Sequence, residues 1–206
     1  MSSIDLPLLR IVGLKGMADG AVIAGALRDP DCEARLAAAL EAQQLRQLPR
    51  GFALTPQGRT DVQTALAEER AMVDAAQIEQ IYERFCLINA SFKALMHKWQ
   101  IRTMDGAEVP NDHQDAAYDG SVIAELGEID TLLQPILLDI VALAPRLGRY
   151  PLRFSDALTA LRGGDAAMMA RPLIDSYHTV WFELHEDLIS LAGSTRAAEA
   201  AAGRGD

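Results

Sequence analysis

The chain has 206 residues, half of them apolar, and 19 Lys and Arg against 29 Asp and Glu give it a formal charge of −10. That length suits one large domain or two small ones with a buried core, and the composition excludes an extended disordered chain. So acidic a chain is a poor general binder of phosphate backbones, whose affinity rests on neutralisation by cations. Cys32 and Cys86 have no CxxC partner, so neither a disulfide framework nor a cysteine zinc site is expected. The start, Met1-Ser-Ser-Ile, lacks a basic segment followed by an apolar run, and the most apolar stretch, Leu132 to Pro145, is too short and too interrupted to span a bilayer. The expectation is a cytoplasmic protein without a membrane partner.

Taken in order, Leu6 to Leu14 and Ala18 to Leu27 read as two short helices, and Asp29-Pro30 opens a third with Leu36, Leu40 and Leu45 on its apolar face. Leu48, Phe52 and Leu54 around Pro49-Arg50-Gly51 read as a small hairpin, and Thr55-Pro56 as the start of the next helix. Three helices and a hairpin predict a winged helix-turn-helix. From Ile78, apolar residues three and four apart run to Trp99, which predicts an amphipathic helix continuous with one that begins near Thr60. Residues 101–120 break the period, with Asp105-Gly106, Val109-Pro110 and Asn111-Asp112 as turn chemistry, and read as a long acidic loop. Ser121 to Leu147 predicts a second long helix bent at Pro135, Pro151 to Leu161 a shorter one, and Asp165 to Leu191 a last one.

The fold class expected is therefore mainly α: a winged helix over residues 1–72, an all-helical bundle over 73–192, and a flexible tail over 193–206. Charge divides along the same line. Residues 1–72 carry eight basic and nine acidic side chains, and the remainder eleven and twenty. The third helix offers Asp29, Asp31, Glu33 and Glu41 against the single Arg35, so DNA contact would fall to Arg35, Arg46, Arg50 and Arg59, and docking on a protein partner is the competing role.

Polar residues on apolar faces carry the candidate chemistry, because they cost free energy unless they find partners. At about 100° per residue, His185 and His178 fall beside Ile174, Tyr177, Trp181, Leu184 and Leu188, whereas Glu183, Glu186 and Asp187 point away. The same projection places Asn89 between Phe85 and Met96. Facing helices would then gather Asn89, Tyr82, Phe92, Tyr177, His178, Trp181 and His185 into a pocket for a small organic ligand. The catalytic candidates are His178 and His185, with His113 and Asp115 from the long loop; the alternative is that all are satisfied core groups. No HxxxH, HExxH or ExxH spacing occurs, and neither a metal nor a cofactor is expected.

Phe52-Ala-Leu-Thr-Pro-Gln-Gly-Arg59 is similar to the wing exit of MarR-like winged-helix regulators. Phe154 to Ala170 resembles a segment of GntR-type regulators with an FCD effector domain, although Asn89 and Lys93 stand where that group places an Asp and a His as metal ligands. Asn111 to Asp119 and Arg171 to Leu188 resemble a bacterial group in which some members look like MarR-type regulators. Others in that group are attached to phosphoenolpyruvate-utilising, dikinase-like proteins. These resemblances imply a homodimeric, ligand-responsive winged-helix regulator. The alternative they imply is an enzyme component of a dikinase-like phosphotransferase that uses His178, His185 and the 111–119 segment.

Overall fold

The computed structural model of the chain describes residues 4–104, 106–195 and 201; most of the expected tail over 193–206 lies outside the described residues. The first unit is α1 (Leu6–Lys15), α2 (Gly20–Leu27), α3 (Cys32–Glu41), a hairpin of β1 (Leu45–Leu48) and β2 (Gly51–Leu54), and α4 (Pro56–Met72). Each start has a local cause. The Asp5 and Asp19 carboxylates accept from the backbone N–H groups of Leu8 and Val22, and the Thr55 hydroxyl accepts from Gly58 ahead of Pro56 at the first turn. β1 and β2 pair antiparallel from Leu45 opposite Leu54 to Leu48 opposite Gly51, and Ala18 adds a bridge to Phe52 with hydrogen bonds in both directions. A Cβ at Gly51, where φ is +135°, would overlap the Ala18 carbonyl, so only glycine allows that approach. Leu8, Leu9, Ile11, Val12, Ile23, Leu36, Leu54, Val62 and Leu66 form the buried cluster of this unit.

The second unit has its own cluster, built from α5 (Ala75–Gln100), α6 (Ala116–Leu143), α7 (Tyr150–Arg162), the single turn α8 (Ala167–Ala170) and α9 (Tyr177–Leu191). Arg84 pairs with Asp139 and Lys98 with Glu125, which fixes α5 and α6 as antiparallel neighbours. Phe85, Leu95, Leu126, Leu133 and Leu184 are fully buried between the helices, each contributing about 1.5–3 kcal/mol. The structure is mainly α, and no helix among the described residues is long and apolar enough to cross a membrane.

Three expectations change. The helix through residues 60–99 is interrupted: α4 stops at Met72, Val73 is extended, and the Asp74 carboxylate accepts from Ala76 and Gln77 to start α5 afresh. The expected loop contains a second hairpin, β3 (Ile101–Met104) with β4 (Ala107–Pro110), after which Asp115 caps α6 well before Ser121. The last helix is also split. Pro172 follows α8, and Ser176 caps α9 by accepting from Thr179.

A fourth correction concerns the face of α9 expected to point outward. Glu183 and Asp187 are 1% and 0% exposed, because α4 of the first unit and α7 cover that face. Asp187 accepts from Arg10 Nε at 2.8 Å, Arg146 Nη1 at 3.0 Å, Arg149 Nη2 at 2.9 Å and the Tyr150 hydroxyl at 2.7 Å. Arg146 also pairs with Glu69 of α4. Lys15 lies 2.7 Å from Glu183 and 3.2 Å from Asp175, and Arg153 donates to both of those carboxylates. Five cations and four carboxylates thus join the two units through buried ion pairs. Burial by itself would push the Asp187 carboxyl up. The pull of Arg146, Arg10 and Arg149 and the Tyr150 hydrogen bond instead hold it well below the ordinary carboxylate range. Burial, followed by the Asp187 charge, raises the Tyr150 phenol above its ordinary value.

Candidate functional site

A cleft of about 820 Å³ lies beside α6 and the C-terminal end of α7. Small residues on α6 make the room for it: Ala116, Gly120, Ala124 and Gly127 recur at helical spacing and form one wall, with Ile123 and Leu161 adding apolar surface. Trp99, His113 and Asp119 stand at one end, and Glu128 and Arg162 complete the polar lining.

The polar end is assembled by one asparagine. The second hairpin returns the chain to the end of α5, where the Asn111 N–H donates to the Gln100 carbonyl at 2.8 Å. Asn111 Nδ2 then donates to the Trp99 carbonyl at 3.1 Å and to Asp119 Oδ1 at 2.7 Å. The other Asp119 oxygen lies 3.0 Å from His113 Nδ1. A carboxylate there favours the Nδ1–H form of the ring, in which Nε2 is the acceptor, and Asn111 Nδ2 lies 3.2 Å from the same nitrogen. The His113 ring packs on Trp99 with centroids 4.4 Å apart, and its backbone sits at φ +58°, a left-handed conformation that histidine adopts more readily than most residues. The group can take a proton at Nε2, return it, or hold a ligand by that nitrogen. Thr131 also lines the cleft, its hydroxyl donating to the Gly127 carbonyl at 2.9 Å. Among the described residues, Arg162 and Glu128 make no hydrogen bond or ion pair, and both are exposed on the cleft.

Asp115 is not part of this pair. It caps α6 by accepting from Tyr118 and lies 3.4 Å from Arg102, which is a structural post. Trp99 and Arg162 were not singled out by the sequence, and Asn111 and Asp119 only as the ends of the 111–119 segment. The available signal was the spacing of His113 and Asp119 about the start of a helix.

The expected aromatic pocket is divided. A groove of about 410 Å³ between α5 and α9 brings together Asn89, Phe92, His178 and Trp181, with Lys93 and Met96. Phe92 and Trp181 stack with centroids 4.1 Å apart, and Trp181 Nε1 donates to Asn89 Oδ1 at 2.8 Å. Tyr82, Tyr177 and His185 lie in the core outside that groove. The Tyr177 hydroxyl donates to Asp130, and Tyr82 meets His185 Nε2 at 3.3 Å beside Phe85. Burial, followed by the Asp130 charge, raises the Tyr177 phenol well above its ordinary value. His178 is exposed rather than inward, stacked on Phe92, because it occupies the edge of the apolar stripe. The loop histidine therefore lines one cavity and His178 another, while His185 belongs to the core. Among the described residues no group of three His, Cys, Asp or Glu is placed to hold a metal ion.

Of the arginines assigned to DNA, Arg35 is engaged by Asp5 and Asp29, and Arg59 donates to the Leu54 carbonyl. The hydrogen bonds from Arg35 to Asp5 are the main reason its guanidinium is held more firmly protonated than usual. Arg46 and Arg50 stand exposed on the hairpin. The exposed face of α3 consists of Glu33, Ala34, Ala37, Ala38 and Glu41.

The chain matches no protein family, no curated protein and no solved structure.

Proposed function

We propose that the chain is a ligand-responsive winged-helix regulator that binds a small organic molecule in the cleft between α6 and α7. The observation that carries this reading is the placement of α7. Its C-terminal end supplies Leu161 and Arg162 to the cleft, and its N-terminal end supplies Tyr150 and Arg153 to the ion pairs that hold the first unit. A ligand that moves α7 by a fraction of an ångström acts on both ends, because packed helices shift as bodies. Trp99 offers an aromatic wall, Arg162 a cation for an acidic group on the ligand, and His113 Nε2 an acceptor.

In this reading the three helices and hairpin of the first unit are the winged helix, and the hairpin arginines Arg46 and Arg50 are its nucleic-acid contacts. The acidic, cation-free face of α3 points to phosphate binding by the wing with little base readout. A homodimer goes with this reading, since two-fold symmetric readers bind paired half-sites.

The test joins two measurements. Small organic acids screened by thermal shift against the full chain should yield stabilising compounds whose effect disappears in Gly120→Trp, where the new ring occupies open cleft space. The same compounds should change an electrophoretic shift on the DNA upstream of the protein's own coding sequence, and Arg46→Ala with Arg50→Ala should weaken it. Absence of any shift at low salt, with and without the compounds, would sink the regulatory reading.

The His113–Asp119 pair favours a second reading, an enzyme component that moves a proton at Nε2. His113→Gln would then abolish turnover with the circular dichroism unchanged.

A further inference from the structure

The groove between α5 and α9 is separate from the cleft of the preceding reading, which leaves it unused. Asn89, Phe92, Lys93, Met96 and Gln100 recur three or four residues apart and give it one wall along α5. Phe92 stacks on both His178 and Trp181, and Phe85 packs on Trp181, so α9 runs antiparallel to α5 and Trp181 stands at the Asn89 end. Asn89 to Gln100 is about 16 Å of helix. Among the described residues no carboxylate lines this groove, and its inner walls are aromatic.

The polar feature of the inner end is an amide with half its capacity unused. Asn89 is 4% exposed. Trp181 Nε1 can only donate, so its 2.8 Å hydrogen bond to Oδ1 fixes which way the amide points and leaves the Nδ2 protons for another partner. Nδ2 donates to no acceptor among the described residues. Nor is it closed off within the protein as Arg153 Nη1 is, and the little surface that Asn89 keeps lies in the groove it lines. Trp181 needs the oxygen alone. A donor this deep has lost most of its hydration without replacement, so an acceptor seated against it is bound with a net gain.

We propose that this groove is a second small-molecule site, for a flat, neutral two-ring heteroaromatic compound whose unprotonated acceptor atom takes a hydrogen bond from Asn89 Nδ2. The aromatic walls and Met96 favour flat, polarizable rings, and a volume of about 410 Å³ holds two fused rings. Charge sets the protonation state. With Lys93 on the wall and only a donor at the inner end, a protonated ring nitrogen is repelled, and an N–H of the ligand meets no acceptor. The site is independent of the α6–α7 cleft, which offers Arg162 to an acid.

Three probes of similar shape separate the contributions: quinoline, which carries an acceptor nitrogen, naphthalene, which carries none, and indole, which carries a donor instead. Each is titrated into the full chain at neutral pH, where quinoline is uncharged, and the two tryptophan indole N–H resonances are followed. Trp181 reports this groove and Trp99 the other cleft. Quinoline should shift the Trp181 resonance saturably, leave that of Trp99 in place, and bind at least about fivefold more tightly than naphthalene, with indole no better than naphthalene. Asn89→Asp keeps an oxygen for Trp181 and replaces the donor by an acceptor, so the preference for quinoline should vanish. Should that buried charge unfold the chain, Lys93→Phe, at a partly exposed position on the wall, should fill the groove and abolish the Trp181 shift with the melting temperature unchanged. Equal affinity for naphthalene, preference for indole, a shift at Trp99 in place of Trp181, or no saturable shift would each overturn the proposal. So would a preference that survives Asn89→Asp or a Trp181 shift that persists in Lys93→Phe.

Discussion

Asp187→Asn is the most informative single change, since it removes one charge and almost no volume. The carboxylate is fully buried and accepts four hydrogen bonds, three of them from guanidinium groups. The amide keeps one acceptor oxygen but turns a donor toward Arg10 or Arg149, and it removes the charge that all three guanidinium groups share, Arg146 keeping its pair with Glu69. Breaking a buried ion pair in this way costs about 3–5 kcal/mol. For a chain of this size each kcal/mol lowers the melting temperature by about 2–4 °C, so the loss expected is roughly 6–20 °C. Asp139→Asn is the control: it breaks the Arg84 pair, whose side chains are about half exposed, at a cost of less than about 1 kcal/mol. Both are read by calorimetry at neutral pH and low protein concentration. If the two substitutions lowered the melting temperature equally, the ion pairs between the units would not be acting as a desolvated network and the reasoning would fail.

Asp187 and Asp175 are both held below the ordinary carboxylate range, for Asp175 by hydrogen bonds and charge from Arg153 that outweigh its burial. Their contribution is complete above about pH 5 and drains as pH falls through the unfolded value near 3.9 toward the folded ones. Urea midpoints should therefore fall more steeply below pH 5 for the native chain than for Asp187→Asn, and parallel curves would contradict this. Gly51→Ala and Gly58→Ala should each cost at least about 2 kcal/mol by urea denaturation, because the new methyl overlaps the Ala18 and Gln44 carbonyls respectively. In a Trp181→Phe background the Trp99 emission maximum is set in part by the His113 ring packed on it, centroids 4.4 Å apart, and His113→Gln should shift that maximum. An unmoved maximum would detach the imidazole from the indole.

The long helices were legible because their apolar residues repeat at helical spacing over many turns. The Thr55 cap was legible, whereas Asp74 and Asp115, which start α5 and α6, were passed over, and the first hairpin stood out by its Pro-Arg-Gly turn. The second hairpin carried a signal as well, Asp105-Gly106 between two four-residue runs, but Arg102 and Glu108 blur its alternation and the segment passes for a loop. The face of α9 was misread for a different reason. A helical wheel ranks residues by one stripe, and α9 is covered on nearly every side, so Glu183 and Asp187 turn inward to cations as far away in sequence as Lys15 and Arg10. No local pattern records such a partner. The cleft pair was half visible, since His113 stood out as a loop histidine while Asp119 was hidden in the first turn of a helix whose start was placed too late.

The ion pairs between the units also change which charges the molecule presents at its surface. They withdraw Arg10, Lys15, Arg146, Arg149 and Arg153 but only Glu69, Asp175, Glu183 and Asp187. Of 19 basic and 29 acidic side chains, 14 and 25 remain outside the network, a balance of −11. The net charge of −10 is unchanged, but the side chains left at the surface for a partner to meet are the more acidic set. Approach of a cationic partner is hastened and that of a polyanion slowed, both most strongly at low ionic strength.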